Sequence, residues 1–294
     1  MRLTMMNDLH LHHKPPMNRK DNYPDKCLGK LQQLCEHAAS TDGLLLGGDI
    51  FHVATPPTWF VNKTIDVLSK CSRPIWAIAG NHDEIGGSPA RIEDTALWNL
   101  HLAKALELCR GNRIFDGEVN IVFASFGEEP RRPVPGCFNI LVCHVPVFES
   151  VIPFYMESQA HTRKSIKQLY PDFDHYLCGD IHQGFYRDSV LVTGSMMRMT
   201  IAQKDYKPRF YEIDTITGVV TPHYFEIEED VWKDIIEVAD DDTYKAELRE
   251  LVEEMSSRDE RLDYAATCRQ LAADRPEYAK DLQTLINQYE ETKQ

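Results

Sequence analysis

Between Arg2 and Phe225 the chain alternates short apolar runs that end in polar clusters with longer stretches whose apolar positions recur every three or four residues. The short runs are the pattern of buried strands and the longer ones that of amphipathic helices. The spacing predicts strands at Leu3–Met6, Leu44–Leu46, Ile75–Ala79, Val119–Ala124, Ile140–Val142, Tyr176–Cys178 and Val190–Thr193. A closing hairpin pairs Phe210–Ile213 with Val219–Phe225 across a turn from Asp214 to Gly218. Helices are expected over Cys27–Ala39, Trp59–Lys70 and Ala96–Leu108. Strands alternating with helices in this way predict an α/β domain.

After Phe225 the texture changes to acidic, glycine-poor, helix-forming sequence, so a domain of residues 1–225 is expected to be followed by a helical tail, 226–294. Leu248, Leu251, Val252 and Met255 form one apolar stripe, and Tyr278, Leu282, Leu285, Ile286 and Tyr289 another. Asp274, Pro276 and Glu277 read as the N-cap, early-turn proline and capping-box acid of the last helix. No internal repeat or low-complexity segment interrupts this order.

Charge changes the picture once it is located. The 294 residues carry 46 acidic and 32 basic side chains, a net charge of −14, which counts against an ordinary nucleic-acid coat. The tail holds 21 acidic and 9 basic residues, a net of −12, which leaves −2 for residues 1–225, so a local basic groove there is compatible with the total. A content of 43% hydrophobic and 27% charged residues is that of a globular protein. No apolar run approaches the length of a membrane-spanning helix, and no membrane partner is expected. Eight cysteines (27, 35, 71, 109, 137, 143, 178 and 268) include no C-x-x-C pair, and the chain opens without an apolar leader, so a reduced cytoplasmic compartment is expected, a host's if the gene is viral. Cys143 and Cys178 read as small buried hydrophobes.

The chemistry clusters where strands end. The first ends in Asp8-Leu9-His10, the second in Gly47-Gly48-Asp49-Ile50-Phe51-His52 and the third in Gly80-Asn81-His82-Asp83; later strands deliver His144 and Gly179-Asp180-Ile181-His182. Open α/β sheets place their sites outside the carboxyl ends of strands, so these five endings are expected to converge. Residues i and i+2 of an extended segment point to one side, so Asp8 with His10, and Asp180 with His182, can each offer two ligands. Carboxylate, imidazole and amide oxygen together suit borderline dications, and a set this large can hold two.

This ordered set resembles the calcineurin-like metallophosphoesterase superfamily, with its D-x-H, G-D, G-N-H-D/E, lone His and G-H-x-H motifs, over about residues 1–225. His52 three residues after Asp49, Pro56-Pro57, the aspartate form Gly80-Asn81-His82-Asp83, and Gly194-Ser195 followed by Arg198 resemble SbcD-type DNA repair nucleases in particular. The short length suits a compact, phage-encoded member. The resemblance implies a four-layer α/β/β/α sandwich and two divalent ions, Mn²⁺ first, with Mg²⁺, Fe²⁺ or Zn²⁺ as substitutes. It implies that Asp8, His10 and His182 hold one ion, that Asp49 bridges, and that Asn81 and His144 hold the second. Metal-activated water then attacks the phosphodiester. His82, oriented by Asp83, protonates the leaving oxygen, while His52 positions the phosphate and Arg198 contacts substrate.

One position departs from the pattern. Where the superfamily has G-H-x-H, this chain has Gly179-Asp180-Ile181-His182, so a carboxylate replaces a neutral imidazole ligand. Asp180 can coordinate, since oxygen suits Mn²⁺ and Mg²⁺. The alternative is a weak or missing second ion; the filled set elsewhere favours coordination. His12 and His13, where the family has a glycine, read as solvated loop histidines.

Basic residues gather at Arg131-Arg132, at Arg163-Lys164 with Lys167, and at Lys204, Lys207 and Arg209, suited to a phosphate backbone. Phe154 and Tyr155 can stack on a base or on each other in a core. The tail helices can pack on the domain, form a homodimer seam or dock on the coiled coil of an SMC-like ATPase subunit (SbcC-type). The expected activity is metal-dependent exonuclease or endonuclease cleavage of DNA. The rivals are a phosphoesterase for small phosphodiesters or phosphoproteins and a catalytically impaired interaction module of the same fold.

Overall fold

The computed structural model describes residues 1–16, 18–153, 156, 160–229 and 231–233. The tail helices expected beyond Lys233, together with Phe154 and Tyr155, lie outside the described residues. Fourteen strands are described: β1 (Arg2–Met6), β2 (Gly43–Leu46), β3 (Ile75–Ala77), β4 (Glu107–Leu108), β5 (Gly111–Phe115), β6 (Val119–Ala124), β7 (Phe138–Cys143), β8 (Val147–Phe148), β9 (His161–Thr162), β10 (His175–Cys178), β11 (Phe185–Arg187), β12 (Val190–Val192), β13 (Arg209–Asp214) and β14 (Val220–Tyr224). The helices are α1 (Tyr23–Ala38), α2 (Thr58–Leu68), α3 (Ala96–Leu102) and α4 (Arg163–Leu169).

Twelve of the strands form two six-stranded sheets, ordered β14-β13-β1-β2-β3-β4 and β11-β12-β10-β7-β6-β5. Within each, the site-bearing strands run parallel, so their carboxyl ends lie on one edge. Side-chain alternation builds the layers. Leu3, Met5 and Leu45 of the first sheet meet Ile140, Val142 and Leu177 of the second in a core between the sheets. Met6, Leu44 and Leu46 face the other way, onto α1, α2 and α3. Leu141, Cys143, Tyr176 and Cys178 of the second sheet pack with Ile166 of α4. The result is an α/β/β/α sandwich.

Local sequence explains the element ends. Proline in the first turn of α1 and Asp25 there suit a helix start, and Thr95 caps α3 by accepting from the N–H of Trp98 at 3.3 Å. The helix expected to reach Leu108 stops at Leu102; Lys104 turns left-handed (φ 58°) and Glu107–Leu108 pair with β3 instead. An edge position on the sheet outweighed helix propensity there. Phe225 and Val231 are both buried, and one compact unit runs from Met1 to Val231. The described cysteines are free thiols. Among the described residues, no helix is long and apolar enough to cross a membrane.

Candidate metal centre

Backbone geometry brings the five strand endings together. Beyond β1 and β2 the two segments remain laced, Asp8 N–H donating to Gly48 O (3.2 Å) and His10 N–H to Asp49 O (2.9 Å). Asn7, a residue that no motif singled out, ties the sheets: its N–H donates to Thr193 Oγ1 (2.9 Å) and its amide to the carbonyl of Cys178. Asp8, His10, Asp49 and Asp180 all adopt left-handed backbone, with φ of 51°, 43°, 51° and 83°. Such conformations cost roughly 1–3 kcal/mol each in non-glycine residues and gather where a site demands them. Glycines make the room: a Cβ on Gly48 or Gly179 would strike the ring of His144.

Asp8, His10, Asp49, His144 and Asp180 are buried, while Asn81, His52, His82 and His182 are half-buried at the rim. Donor atoms of Asp8, His10 and His182 form one close group and those of Asp8, Asp49 and His144 a second. Asp49 Oδ2 stands between them, 3.4 Å from Nε2 of His10 and 3.4 Å from Nε2 of His144. His10 and His182 face each other at 2.9 Å between their Nε2 atoms. On the second side, His144 Nε2 lies 3.1 Å from Asn81 Oδ1 and 4.0 Å from Asp180 Oδ1. Asp180 also donates its N–H to Asp8 Oδ1 at 2.9 Å.

Three features show that this donor set fits cations. Asp8 Oδ2 and Asp49 Oδ2 are buried and accept no hydrogen bond, a costly state for carboxylate oxygens unless something positive faces them. Two donors at right angles on an octahedral ion with bonds of about 2.1 Å stand about 3 Å apart, as the Nε2 atoms of His10 and His182 do. His144 donates Nδ1–H to Gly47 O at 2.8 Å, which leaves Nε2 as its ligand atom.

The electrostatics agree. Burial, with Asp49 beside it, pushes Asp8 well above the usual carboxylate range, His144 opposing. Burial alone would raise Asp49 too, but the charge of His144 beside it outweighs burial and holds Asp49 well below its ordinary value. His144, against its own burial, is raised well above an ordinary histidine by Asp49. Burial lowers His10. Imidazole ligates in its neutral form, so a dication bound here would take His144 unprotonated at Nε2.

Two expected roles are corrected. Asp83 does not touch the ring of His82; its carboxylate accepts the N–H groups of Ile50 (3.1 Å), Phe51 (3.0 Å) and Gly80 (3.0 Å), bracing the loops after β2 and β3. The ring of His82 is oriented by the carbonyl of His52, 2.8 Å from Nδ1, and stacks on the His52 ring at 5.2 Å and 24°. Neighbours in a single tight turn, Asn81–Asp83, point apart. Arg198, expected to contact substrate, is buried; its guanidinium donates to Lys204 O (2.9 Å) and to Glu228. His12, expected in a solvated loop, is half-buried: its ring lies 4.8 Å from that of His52, and burial lowers it to about 4. Among the basic clusters, Arg163 pairs with Asp188, whereas Arg131, Arg132, Lys164, Lys204 and Lys207 are exposed.

The sequence profile of the calcineurin-like phosphoesterases matches residues 1–184, a stretch that contains all five strand endings. No curated protein matches the chain. Solved structures similar to it include an archaeal phosphodiesterase (12% identity, 76% of this chain and 100% of that chain, TM-score 0.40). A hypothetical protein from Pyrococcus horikoshii is similar at 15% identity (86% and 95%, TM-score 0.38), and a 5'-nucleotidase precursor from Thermus thermophilus at 12% (85% and 59%, TM-score 0.42). The chain belongs to the calcineurin-like phosphoesterase family, metal-dependent hydrolases of phosphoesters.

Proposed function

We propose that this phosphoesterase is a DNA nuclease of the SbcD type, cutting phosphodiester bonds with two divalent ions, Mn²⁺ first. The observation that carries the diester reading is the fixed ring of His82 at the rim of the centre. A diester releases an alkoxide, which needs a proton, and Nε2 is the nitrogen of His82 left to deliver one. Asp8, His10 and His182 would hold one ion, Asp49 both, and Asn81, His144 and Asp180 the other. Two dications there supply Lewis acidity and offset charge developing on the phosphate oxygens. With Asp8, Asp49 and Asp180 ionised, they would leave the cluster at +1 instead of the +2 of a histidine-ligated centre. That favours tight cation binding over electrophilic strength. His52 presents its carbonyl to His82 and its own ring to the same opening, where a phosphate would sit.

Exposed Lys164, Lys204 and Lys207 support contact with a nucleic-acid backbone. The homodimer or SMC-like ATPase partner belongs to the same reading and rests on the tail stripes. The test is cleavage of end-labelled linear, hairpin and circular DNA with Mn²⁺, beside hydrolysis of bis(p-nitrophenyl) phosphate. Cleavage of DNA is expected. Hydrolysis of the small diester alone would transfer the enzyme to small-molecule or phosphoprotein substrates. Failure on both by a folded, metal-loaded protein would make it an impaired interaction module.

A further inference from the structure

We propose a second metal site, separate from the phosphoesterase centre, in which His37, Glu212 and His223 take one Zn²⁺ ion. The fold assembles it from three elements. Phe210 and Glu212, two apart on β13, face the helical layer, where Phe210 joins the core built with α1. His223 on β14 lies directly opposite Phe210 in the register. His37 reaches the same place from the last turn of α1. Glu212 pairs with Thr4, so the cluster sits beside the body of β1, whereas the centre at Asp8 follows its carboxyl end.

The donor atoms of the three residues lie within 4.8 Å of one another. Glu212 Oε2 is 3.2 Å from His37 Nε2 and 3.9 Å from His223 Nε2. A tetrahedral ion with bonds of about 2.0–2.1 Å keeps its ligands about 3.3 Å apart, so His37 and Glu212 already stand at ligand spacing and His223 has to draw in toward them. His223 Nε2 is itself buried and has no hydrogen-bond partner. A polar atom left so beside a carboxylate lacks what an ion would supply.

The surroundings hold the ligands ready. Arg2 grips the other oxygen of Glu212, with Nε at 2.8 Å and Nη2 at 2.6 Å, which turns Oε2 toward the imidazoles. Phe210 packs edge-on against His37 at 4.8 Å and stacks on His223 at 5.4 Å and 15°. Two imidazoles and one carboxylate select a borderline dication, and side-chain exposures of 22% and 33% for His37 and His223 leave a path for it and for a water in the fourth position. A bound ion would tie α1 to the last hairpin of the unit.

The test is zinc stoichiometry of the full chain after equilibrium dialysis, with elemental analysis. The double variant His37→Gln/His223→Gln should bind one equivalent fewer than wild type while keeping Mn²⁺-supported phosphodiester hydrolysis. The double variant Asp8→Asn/Asp49→Asn should keep that equivalent while losing the catalytic ones. Equal stoichiometry in wild type and in a His37→Gln/His223→Gln protein with unchanged circular dichroism would overturn the site. Should that variant misfold, anomalous diffraction from zinc-soaked wild-type crystals decides: a peak between the three side chains is expected, and its absence refutes the proposal.

Discussion

At the scale of residues, the assignment of His82 as proton donor separates substrates by leaving group. Removing a general acid costs about 10²–10⁴ in rate when the leaving oxygen needs a proton. His82→Ala should therefore lose that much on DNA, whose leaving group is an alkoxide, and far less on bis(p-nitrophenyl) phosphate, whose phenolate leaves unaided. Equal losses on both would mean that His82 positions the phosphate instead. A second prediction concerns Glu84, a buried carboxyl beside Asp83 with one oxygen unpaired. Burial, with Asp83 and Glu128 adding to it, raises Glu84 from 4.5 to about 7. A raised acid stabilises the fold through its protonated form, so its contribution is complete below pH 4.5 and is lost as pH rises through about 7. Glu84→Gln, measured with metals chelated, should match wild type in melting temperature near pH 4 and exceed it at pH 8. A constant difference between the two proteins at both pH values would show that Glu84 does not titrate in that window.

At the scale of elements, the loops after the strands are shaped around one imidazole. His144 follows β7, and its ring occupies space left by Gly48 and Gly179 from the neighbouring endings. Gly179→Ala would put a methyl group against Nδ1 of His144 and 2.6 Å from the carbonyl oxygen of Gly47, so it should displace the ring and strain the backbone of the neighbouring loop. Misplacement of a reacting group by about 1 Å can lower rate about 100-fold; a loss of at least that order with a lowered melting temperature is expected, and full activity at an unchanged melting temperature would show the cradle to be slack. Elements of this kind were legible in sequence to different degrees. Strands β1, β2, β6, β7 and β10 are covered on both faces, so they read as continuous apolar runs that stop at their polar endings. Edge strands β5 and β11 carry Asn112 and Arg187 on exposed positions and gave no such run. The convergence of Asp8, His10, Asp49, Asn81, His144, Asp180 and His182 followed from strand order alone. Which atom touches which did not: Asp83 adjoins His82 in sequence yet braces other loops, and Arg198 sits in a motif-like position yet is buried among partners. His37, Glu212 and His223 are separated by up to 186 residues and share no local pattern, so only the fold could bring them together.

At the scale of the molecule, the question is how the last described segment and the acidic tail bear on the enzyme. Glu228 lies past the closing hairpin, and buried Lys30 meets it at 2.9 Å while Arg198 reaches its carbonyl and carboxylate. Arg19 in turn donates to Arg198 O at 2.7 Å, and Met196 N–H to Asp8 O at 3.0 Å, so this clasp leads to the backbone of a proposed ligand. Breaking a buried ion pair costs about 3–5 kcal/mol. A chain ending at Phe225 should therefore be less stable than one ending at Lys233 by about that amount in urea unfolding, and equal stability would deny the clasp its role. The longer truncation then isolates the effect of the remaining acid. Residues 234–294 carry 17 acidic and 8 basic side chains, a net of −9, while residues 1–225 stand at −2. An anionic segment tethered to the proposed nuclease would oppose the phosphate backbone wherever the two approach, and salt weakens that opposition because the screening length falls to about 10 Å at 0.1 M. Ending the chain at Lys233 should thus tighten non-specific binding to duplex DNA at low salt, by a margin that shrinks as salt rises. If the two chains bind alike at every salt concentration, the tail's charge serves something other than the approach of DNA.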